Sequence, residues 1–408
     1  MKQQELIPHL FRTEYRKITA VLCKLLGIAY LEVAEDITSD TFLLALETWS
    51  YKGLPPNPTA WLYAVAKNKA KDYLTRHALF TEKVVGQVQK AGASSEVFEV
   101  DLSEKNITDS QLQMLFALCH PAIAAEAQIG LSLRILCGFG IDEIADAFLT
   151  NKETINKRLS RAREKLRLEK VLITLPEPSE IDMRLETVLT TLYLLFNEGY
   201  YSERHETVLR DDLCLEAMRL TYLLLENEQT NRPPVNALMA LMCFHASRFE
   251  ARRQTGSGII LYDDQDQTLW NQELLTKGMV FLDKASQGKV ISTYHVEATI
   301  AYWHTIKEDK PEKWESILQL YNHLLLIRYS PVAALNRAFA LAKVKGNAIA
   351  IRETEKLDLP ANPFYYALLG TLYDGIDGKK ARLNFEQALS FAKTKADKQA
   401  IQRKIDVL

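Results

Sequence analysis

The sequence predicts an all-α fold, and three observations carry that expectation. Apolar residues recur at spacings of three and four, as in Val33, Ile37 and Leu44; Val188, Leu192 and Leu195; and Leu213, Ala217, Leu220 and Leu224. Proline and glycine break these stretches at 53–58, 121, 138–140, 176–178, 233–234 and 331. Residues 365–392 carry a helical-repeat pattern, Leu369-Gly370, Tyr373, Ala381 and Phe385. The breaks divide the 408 residues into 1–80, 108–172 and 178–408, with 81–107, rich in small, polar and acidic residues, as a linker. That agrees with a prior of about 150 residues per domain.

Composition narrows the function classes. Hydrophobic residues at 47% and charged residues at 25% describe a globular chain that can bury large cores. Fifty Lys+Arg against 52 Asp+Glu give a net charge of −2, which excludes a uniformly basic nucleic-acid coat. Any DNA or RNA binding must come from local clusters. The start lacks a signal-peptide core, and the longest apolar runs, such as 237–244, fall far below the roughly 20 residues of a membrane helix. Cys23, Cys119, Cys137, Cys214 and Cys243 are scattered and read as reduced core thiols of a cytoplasmic protein. No zinc-protease, phosphate-loop, dinucleotide or nucleophile-elbow motif is present, so no metal, cofactor or catalysis is expected.

Residues 30–49 hold five acids (Glu32, Glu35, Asp36, Asp40, Glu47) and no Lys or Arg. Asp36 and Asp40 lie one turn apart, with Val33, Ile37 and Leu44 on the opposite face. Such a face either docks a basic partner or is simply solvated. The prolines of 53–58 then fix a stiff loop, after which Thr59 can cap a helix over 60–77. Trp61, Leu62, Val65 and Leu74 serve packing there, while Lys67, Lys69, Lys71 and Arg76 face a single acid, Asp72. Aromatic rings interleaved with bases suit unstacked single-stranded DNA. Trp61 and Tyr63 can equally be core.

A short helix over 141–148, with small Ala145 for close packing, precedes a brief turn. Thr150 can cap the next helix, 151–168, with Glu153 as its capping-box partner. Ile155, Leu159, Ala162 and Leu166 hold core spacing, and 152–170 carry eight bases and three acids. Two helices, a short turn and a basic second helix meet the physical requirements for reading a major groove. A purely structural helical hairpin is the alternative.

The runs A-E-D-I-T-S-D-T-F-L-L-A-L-E-T-W (34–49), N-P-T-A-W-L-Y-A-V-A-K-N-K-A-K-D-Y-L (57–74) and G-I-D-E-I-A-D-A-F-L-T-N-K-E-T-I-N-K-R-L-S-R-A-R-E-K-L-R (140–167) resemble regions 2 and 4 of the sigma-70 family. In order and spacing they are similar to its two-domain extracytoplasmic-function (group IV) class. The rest resembles a subgroup with a C-terminal tetratricopeptide-like extension, through C-H-P-A-I-A-A-E-A (119–127), L-Y-L-L-F-N-E-G-Y (192–200), L-Y-D-D-Q-D-Q-T-L-W (261–270) and S-P-V-A-A-L-N-R-A-F-A-L-A (330–342).

The resemblance implies a promoter-recognition subunit without catalysis of its own, partnered by core RNA polymerase (largest-subunit clamp helices and beta-subunit flap) and promoter DNA. It assigns polymerase docking to Asp36, Asp40, Phe42 and Glu47. It gives capture of the melted −10 element to Asn57, Trp61, Lys67, Asn68, Lys69, Lys71 and Arg76. It gives reading of the −35 element to Asn151, Lys152, Thr154, Asn156, Lys157, Arg158 and Arg161. Lys67 and Lys69 stand where relatives often have Arg; they meet phosphate as point charges and lose bidentate geometry.

In the third unit a weaker copy of the repeat runs through Ala334, Ala338, Leu341, Gly346 and Ala350, and Trp314, Leu318, Tyr321 and Pro331 fit a third. The unit either binds a protein or peptide or covers the first two domains. Residues 255–270 combine a short β-like run with acids and are expected to form an ordered loop. Phe196–Tyr200 and Asp263–Asp266 are its sharpest polar features, and for the acids a solvated or capping role is the bland expectation. A stand-alone helix-turn-helix regulator with a tetratricopeptide-like sensor domain is the alternative function. An acidic helix followed by a strand-capturing loop has no use in such a regulator.

Overall fold

The computed structural model describes residues 3–85, 100–148, 150–200, 210–252, 265–392 and 395–408. All regular structure among them is helical, as the spacing predicts. The chain divides into two compact units, 1–194 and 195–408.

In the first unit, α1 (Gln3–Leu26) is the central element; α2 (Leu31–Lys52), α3 (Pro58–Val85), α4 (Glu104–Leu118) and α5 (Ala125–Leu136) all pack on it. Next come α6 (Ile141–Ala147) and α7 (Lys152–Leu168), which pack on each other, while α7 also meets α5. At that meeting Gly130 leaves no room for a side chain, since a Cβ would come within 2.9 Å of Leu159 Cδ2. The unit extends into α8 (Ile181–Tyr200) because that helix is fastened by hydrogen bonds. Arg184 Nη2 donates to Phe116 O at 2.8 Å, and Thr191 Oγ1 to Gln128 Oε1 at 2.9 Å. Both ends of the 81–107 stretch are helical, in α3 and α4; residues 86–99 lie outside the described ones.

The buried stripe of α2 differs from the expected one. It runs Leu31, Glu35, Thr38, Phe42, Ala45 and Trp49, a spacing of four and three, flanked by Ala34, Ile37 and Thr41. Val33 is only half-buried and Leu44 is exposed. Phe42 is therefore a core residue: 3% exposed, with ring centroids 5.1 Å from Phe11 and 6.3 Å from Tyr15. Its expected place on the docking face is corrected. A heptad-like stripe rotated by one position from Val33–Ile37–Leu44 carries the ring inward. Two caps also shift by a residue or two. Asn57 Oδ1, not the Thr59 hydroxyl, accepts from Ala60 N at 3.0 Å, with Pro58 in the first helical turn, where its missing N–H costs nothing. Asn151 Oδ1, not Thr150, accepts from Thr154 N at 2.8 Å.

The second unit gathers around α10 (Pro233–Ala246), buried almost all round, against α9 (Asp211–Glu226), α12 (Gln272–Ser286) and α13 (Thr293–Trp303). Close approach again needs glycine: a Cβ on Gly278 of α12 would lie 2.6 Å from the Phe244 ring. The short α11 (Phe249–Arg252) and a 3-10 turn (Gln267–Leu269) lie between α10 and α12 in sequence. The expected β-like run falls on 253–264, outside the described residues; 265–270 form the 3-10 turn and its caps.

From α13 onward each helix packs on its chain neighbour: α14 (Pro311–Ile327), α15 (Pro331–Lys345), α16 (Asn347–Glu355), α17 (Pro363–Tyr373), α18 (Gly378–Phe391) and α19 (Lys395–Val407). Three core clusters follow one another along this stack. Trp314, Leu318 and Tyr321 sit in the first; Tyr365, Leu369 and Ala381 in the second; Phe385, Ala388 and Ile401 in the third. Gly346 (φ 84°) turns α15 directly into α16. Gly370 faces the Phe385 ring, which a Cβ would meet at 2.9 Å.

Two expectations for stability follow, both read by urea unfolding. Gly370→Val should cost about 1–3 kcal/mol by overpacking α17 against α18, while Gly378→Ala, with open space around it, should cost nothing. Phe42→Ala should cost about 3–5 kcal/mol by opening a core cavity, while Asp36→Asn on the exposed face should stay within about 0.5 kcal/mol of the parent.

Candidate functional site

The exposed face of α2 carries Asp36, Asp40 and Glu47, with exposed Leu43 and Leu46 between them. Asp36 and Asp40 line a groove of about 550 Å³ between α2 and α3, together with Val33, Ile37, Lys69, Tyr73 and Arg76. Lys69 Nζ sits 3.2 Å from Asp40 Oδ2. Members of the two expected surfaces, docking and −10, therefore share one groove. The Lys69–Asp40 pair is largely solvated and worth about 0–1 kcal/mol, so either partner can be taken by a competitor.

The four bases of α3 do not form one face. At 100° per residue, Lys69 and Arg76 point to the α2 groove, while Lys67 and Lys71 lie on another flank. Lys67 lines a second open groove with Tyr63, Ala64 and the segment Val100, Asp101 and Leu102. Arg76 Nε is turned back to the Asp72 carbonyl at 3.1 Å. Tyr63 is fixed by donating to Glu14 Oε2 at 2.6 Å. Burial, followed by this bond to a carboxylate, pushes its phenol well above the ordinary range. Trp61 is half-buried and packs edge-on to the fully buried Trp49, with centroids 5.3 Å apart. Asn57 and Asn68 are exposed, Asn57 as the cap of α3.

On α7 the core positions Ile155, Leu159, Ala162 and Leu166 are all buried, which turns Lys157 and Arg161 to solvent, with Thr154 and Asn156 also exposed. Arg158 is half-buried and lies over the Phe148 ring, 5.6 Å from its centroid. That contact holds the guanidinium to one direction, a useful property for a planar group meeting a base edge. Lys152 pairs with Asp142 at 2.6 Å across the α6–α7 turn. Asn151 spends its side-chain oxygen on the cap.

Sequence reasoning passed over a fourth feature. Glu35, on the buried stripe of α2, accepts from Arg134 Nε of α5 at 2.8 Å and from Arg163 Nη2 of α7 at 2.7 Å. Glu32 lies 3.6 Å from the same Arg163. The signal was available: Glu35 occupies the core register set by Leu31, Thr38 and Phe42, where a lone acid demands a buried counter-charge.

In the second unit, Phe196–Tyr200 is a packing element. A Cβ on Gly199 would lie 2.7 Å from Arg210 O and from Cys214 Sγ, and Arg248 Nη2 meets the Tyr200 hydroxyl at 3.2 Å. The Arg252 guanidinium stacks 4.0 Å from the Tyr200 ring centroid. Asp266 caps the 3-10 turn, accepting from Thr268 N at 2.8 Å, which is the bland role expected for it. Asp263 and Asp264 lie outside the described residues. Among the described residues no cluster of His, Cys, Asp and Glu could hold a metal ion, and no helix is long and apolar enough to cross a membrane.

With this geometry in place, similarity to known proteins becomes informative. The family model for sigma-70 region 2 matches residues 10–79, which cover most of α1, α2 and most of α3. A family of unknown function (DUF6596) matches residues 184–286. The chain is 32% identical over 387 residues to the uncharacterized protein R00370 of Rhizobium meliloti (strain 1021), covering 93% of this chain and 90% of that protein. It is 27% identical over 134 residues to the ECF RNA polymerase sigma-E factor of Haemophilus influenzae, covering 32% of this chain and 70% of that one. No solved structure matches significantly. The chain thus belongs to one family with the Rhizobium meliloti protein R00370, and the match of residues 10–79 to sigma-70 region 2, with the sigma-E relative, supports a sigma-70 type role in transcription initiation.

Proposed function

We propose that the chain is a sigma factor of the extracytoplasmic-function (group IV) class, carrying a C-terminal tetratricopeptide-like regulatory domain. A sigma-70 region 2 implies binding to core RNA polymerase and to promoter DNA. The finer assignment gives 1–80 to polymerase binding and the −10 element, 81–107 to a linker, 108–172 to the −35 element and 178–408 to regulation. The observation that carries it is the coincidence of the region 2 match with the helices that bear the exposed acids and the interleaved bases.

In this reading Asp36, Asp40 and Glu47 meet the clamp helices of the largest polymerase subunit. The loop before α3 and the bases of that helix hold the melted strand, where stacking is worth about 1–3 kcal/mol per base. The α6–α7 pair enters the major groove, with Arg158 and Arg161 donating to guanine edges and Lys157 meeting phosphate. The beta-subunit flap meets the same half of the unit. The sigma-E relative, matched over about a third of this chain, supports the class assignment. The neighbour-on-neighbour helix stack with its glycine contact at Gly370 supports a repeat-type domain that binds a protein or peptide.

Run-off transcription tests the reading: core polymerase with the full chain should start at defined sites on some genomic fragments. Failure on every fragment would sink it. Changing Asp36 and Asp40 together to Lys should abolish co-purification with core polymerase while shifting stability by no more than about 1 kcal/mol. Arg158→Ala should cost about 1–3 kcal/mol on a −35 duplex carrying its guanine and little on one lacking it. Equal weakening on both would make Arg158 a phosphate contact.

A further inference from the structure

Residues 378–408 hold eight Lys+Arg against three Asp+Glu, which leaves 42 against 49 for the rest of the chain. The balance equals that of 152–170, yet it falls in the second unit, on α18 and α19. Six of these bases have described, exposed side chains: Lys379, Lys380 and Arg382 on α18, and Lys398, Arg403 and Lys404 on α19. None of the six is in an ion pair among the described residues. Other lysines of the same unit are held by acids: Lys277 by Glu273 at 2.6 Å, Lys310 by Glu308 at 2.5 Å, Lys343 by Asp309 at 3.1 Å and Lys356 by Glu353 at 2.6 Å. On α7, too, Lys165 pairs with Glu169 and Arg167 with Glu164. Like charges gathered without acids repel one another, a cost that a merely solvated face avoids by interspersing both signs.

The packing draws these charges together. The two helices share one core, built from Phe385, Ala388, Ala392, Ile401 and Ile405, and run in opposite directions. Arg382 Nη2 donates to Ile405 O at 3.5 Å, which brings the start of α18 beside the end of α19. Arg382 thus turns to that carbonyl and not to Glu386, one turn along its own helix. Lys379, Lys380, Arg403 and Lys404 all lie within about one turn of this contact, and Lys398 extends the row along α19. Lys380 also lies over the Tyr373 ring, 5.1 Å from its centroid. Asp377, the acid nearest in sequence, has its carboxylate on the α18 cap, accepting from Lys380 N at 3.1 Å.

The chemistry of the surface selects its partner. Four of the six bases are lysines, whose ammonium groups meet phosphates as point charges and read no base edge. A single strand calls for exposed rings on which bases stack. Among the described residues no exposed ring stands at this end of the pair: Tyr373 is buried, and Phe391 lies at the other end of α18. Protein interfaces are depleted in lysine and anchor on aromatic side chains, the reverse of what is found here. We propose that the α18–α19 end is a sequence-independent binding surface for the phosphate backbone of duplex DNA, additional to α3 and α7. It goes beyond the sigma-factor reading, on which it rests only for why DNA is at hand.

The full chain, titrated onto a duplex of about 30 base pairs without promoter elements, tests the surface through fluorescence anisotropy at about 50 to 200 mM salt. The fourfold variant Lys379→Gln, Lys380→Gln, Arg403→Gln and Lys404→Gln should reduce the slope of log K against log salt by about one per base replaced. At the low-salt end it should bind about tenfold more weakly than the parent. A control with the same change of charge at paired positions, Lys277→Gln, Lys310→Gln, Lys343→Gln and Lys356→Gln, should keep the slope within about one of the parent. An unchanged slope in the fourfold variant would overturn the surface; so would an equal loss in the control, which would trace the effect to net charge. Where the fourfold variant melts lower than the parent, the α18 pair and the α19 pair replaced separately should each reduce the slope by about two. Sedimentation with phosphatidylserine vesicles that the variant loses, while its duplex slope is unchanged, would give the surface to a membrane instead. None of these measurements contains core polymerase, so run-off transcription decides the sigma-factor reading independently of them.

Discussion

One carboxylate ties the acidic helix to the helix pair that follows it. Glu35 leaves the solvated face of α2 for the buried one, and there Arg134 and Arg163 supply the hydrogen bonds and counter-charge that a buried carboxylate needs. Much of the arrangement of the first unit is consistent with that requirement. Gly130 lets α7 approach α5 closely enough for Arg163 to turn toward α2, and the α7 core positions fix its rotation so that Lys157 and Arg161 point away. In the proposed reading, the helix offered to DNA is thereby oriented by a contact that has nothing to do with DNA.

The second unit is joined by other means. Its closest approaches are apolar and depend on missing side chains: Gly278 under Phe244, Gly370 under Phe385, Gly199 beside Cys214. Such joints cannot open without exposing rings to water, so they hold a single geometry. The core is handed on from one helix to the next, with α15 placing Ala333, Ala340 and Leu341 in one cluster and Leu335 in another. A buried charge cluster marks the α2–α5–α7 joint of the first unit, whereas close apolar packing marks the joints of the second.

Much of this was legible in the sequence because helical periodicity is a strong signal. Ile155, Leu159, Ala162 and Leu166 are buried as their spacing requires, and so are Leu213, Ala217, Leu220 and Leu224. The contacts across Gly370 follow from the repeat pattern. What failed was rotation and register. Two apolar stripes on α2 lie within one residue of each other, and the sequence alone favoured Val33–Ile37–Leu44 because Glu35 and Thr38 interrupt the true one. Caps slid from Thr59 to Asn57 and from Thr150 to Asn151, since neighbouring residues offer equivalent oxygens. The four bases of α3 looked like one surface in a linear reading, yet Lys67 and Lys69 stand 200° apart on a helix.

Net charge is where these strands meet. A total of −2 excludes a uniformly basic chain but leaves open how the charges are arranged. In the first unit they neutralise one another across elements: Asp40 with Lys69, Asp142 with Lys152, Glu32 and Glu35 with Arg163. Each of these bases would otherwise release counterions on meeting phosphate, and each internal pair removes part of that gain. In the proposed reading, affinity for DNA therefore depends on conformation more than on composition. In that reading a partner that occupies the acids would free the bases, and the contact that docks the chain would raise its affinity for the duplex. By linkage the duplex would then favour the docked state to the same degree, so in the proposed reading polymerase and promoter would reinforce each other through charges carried by this chain.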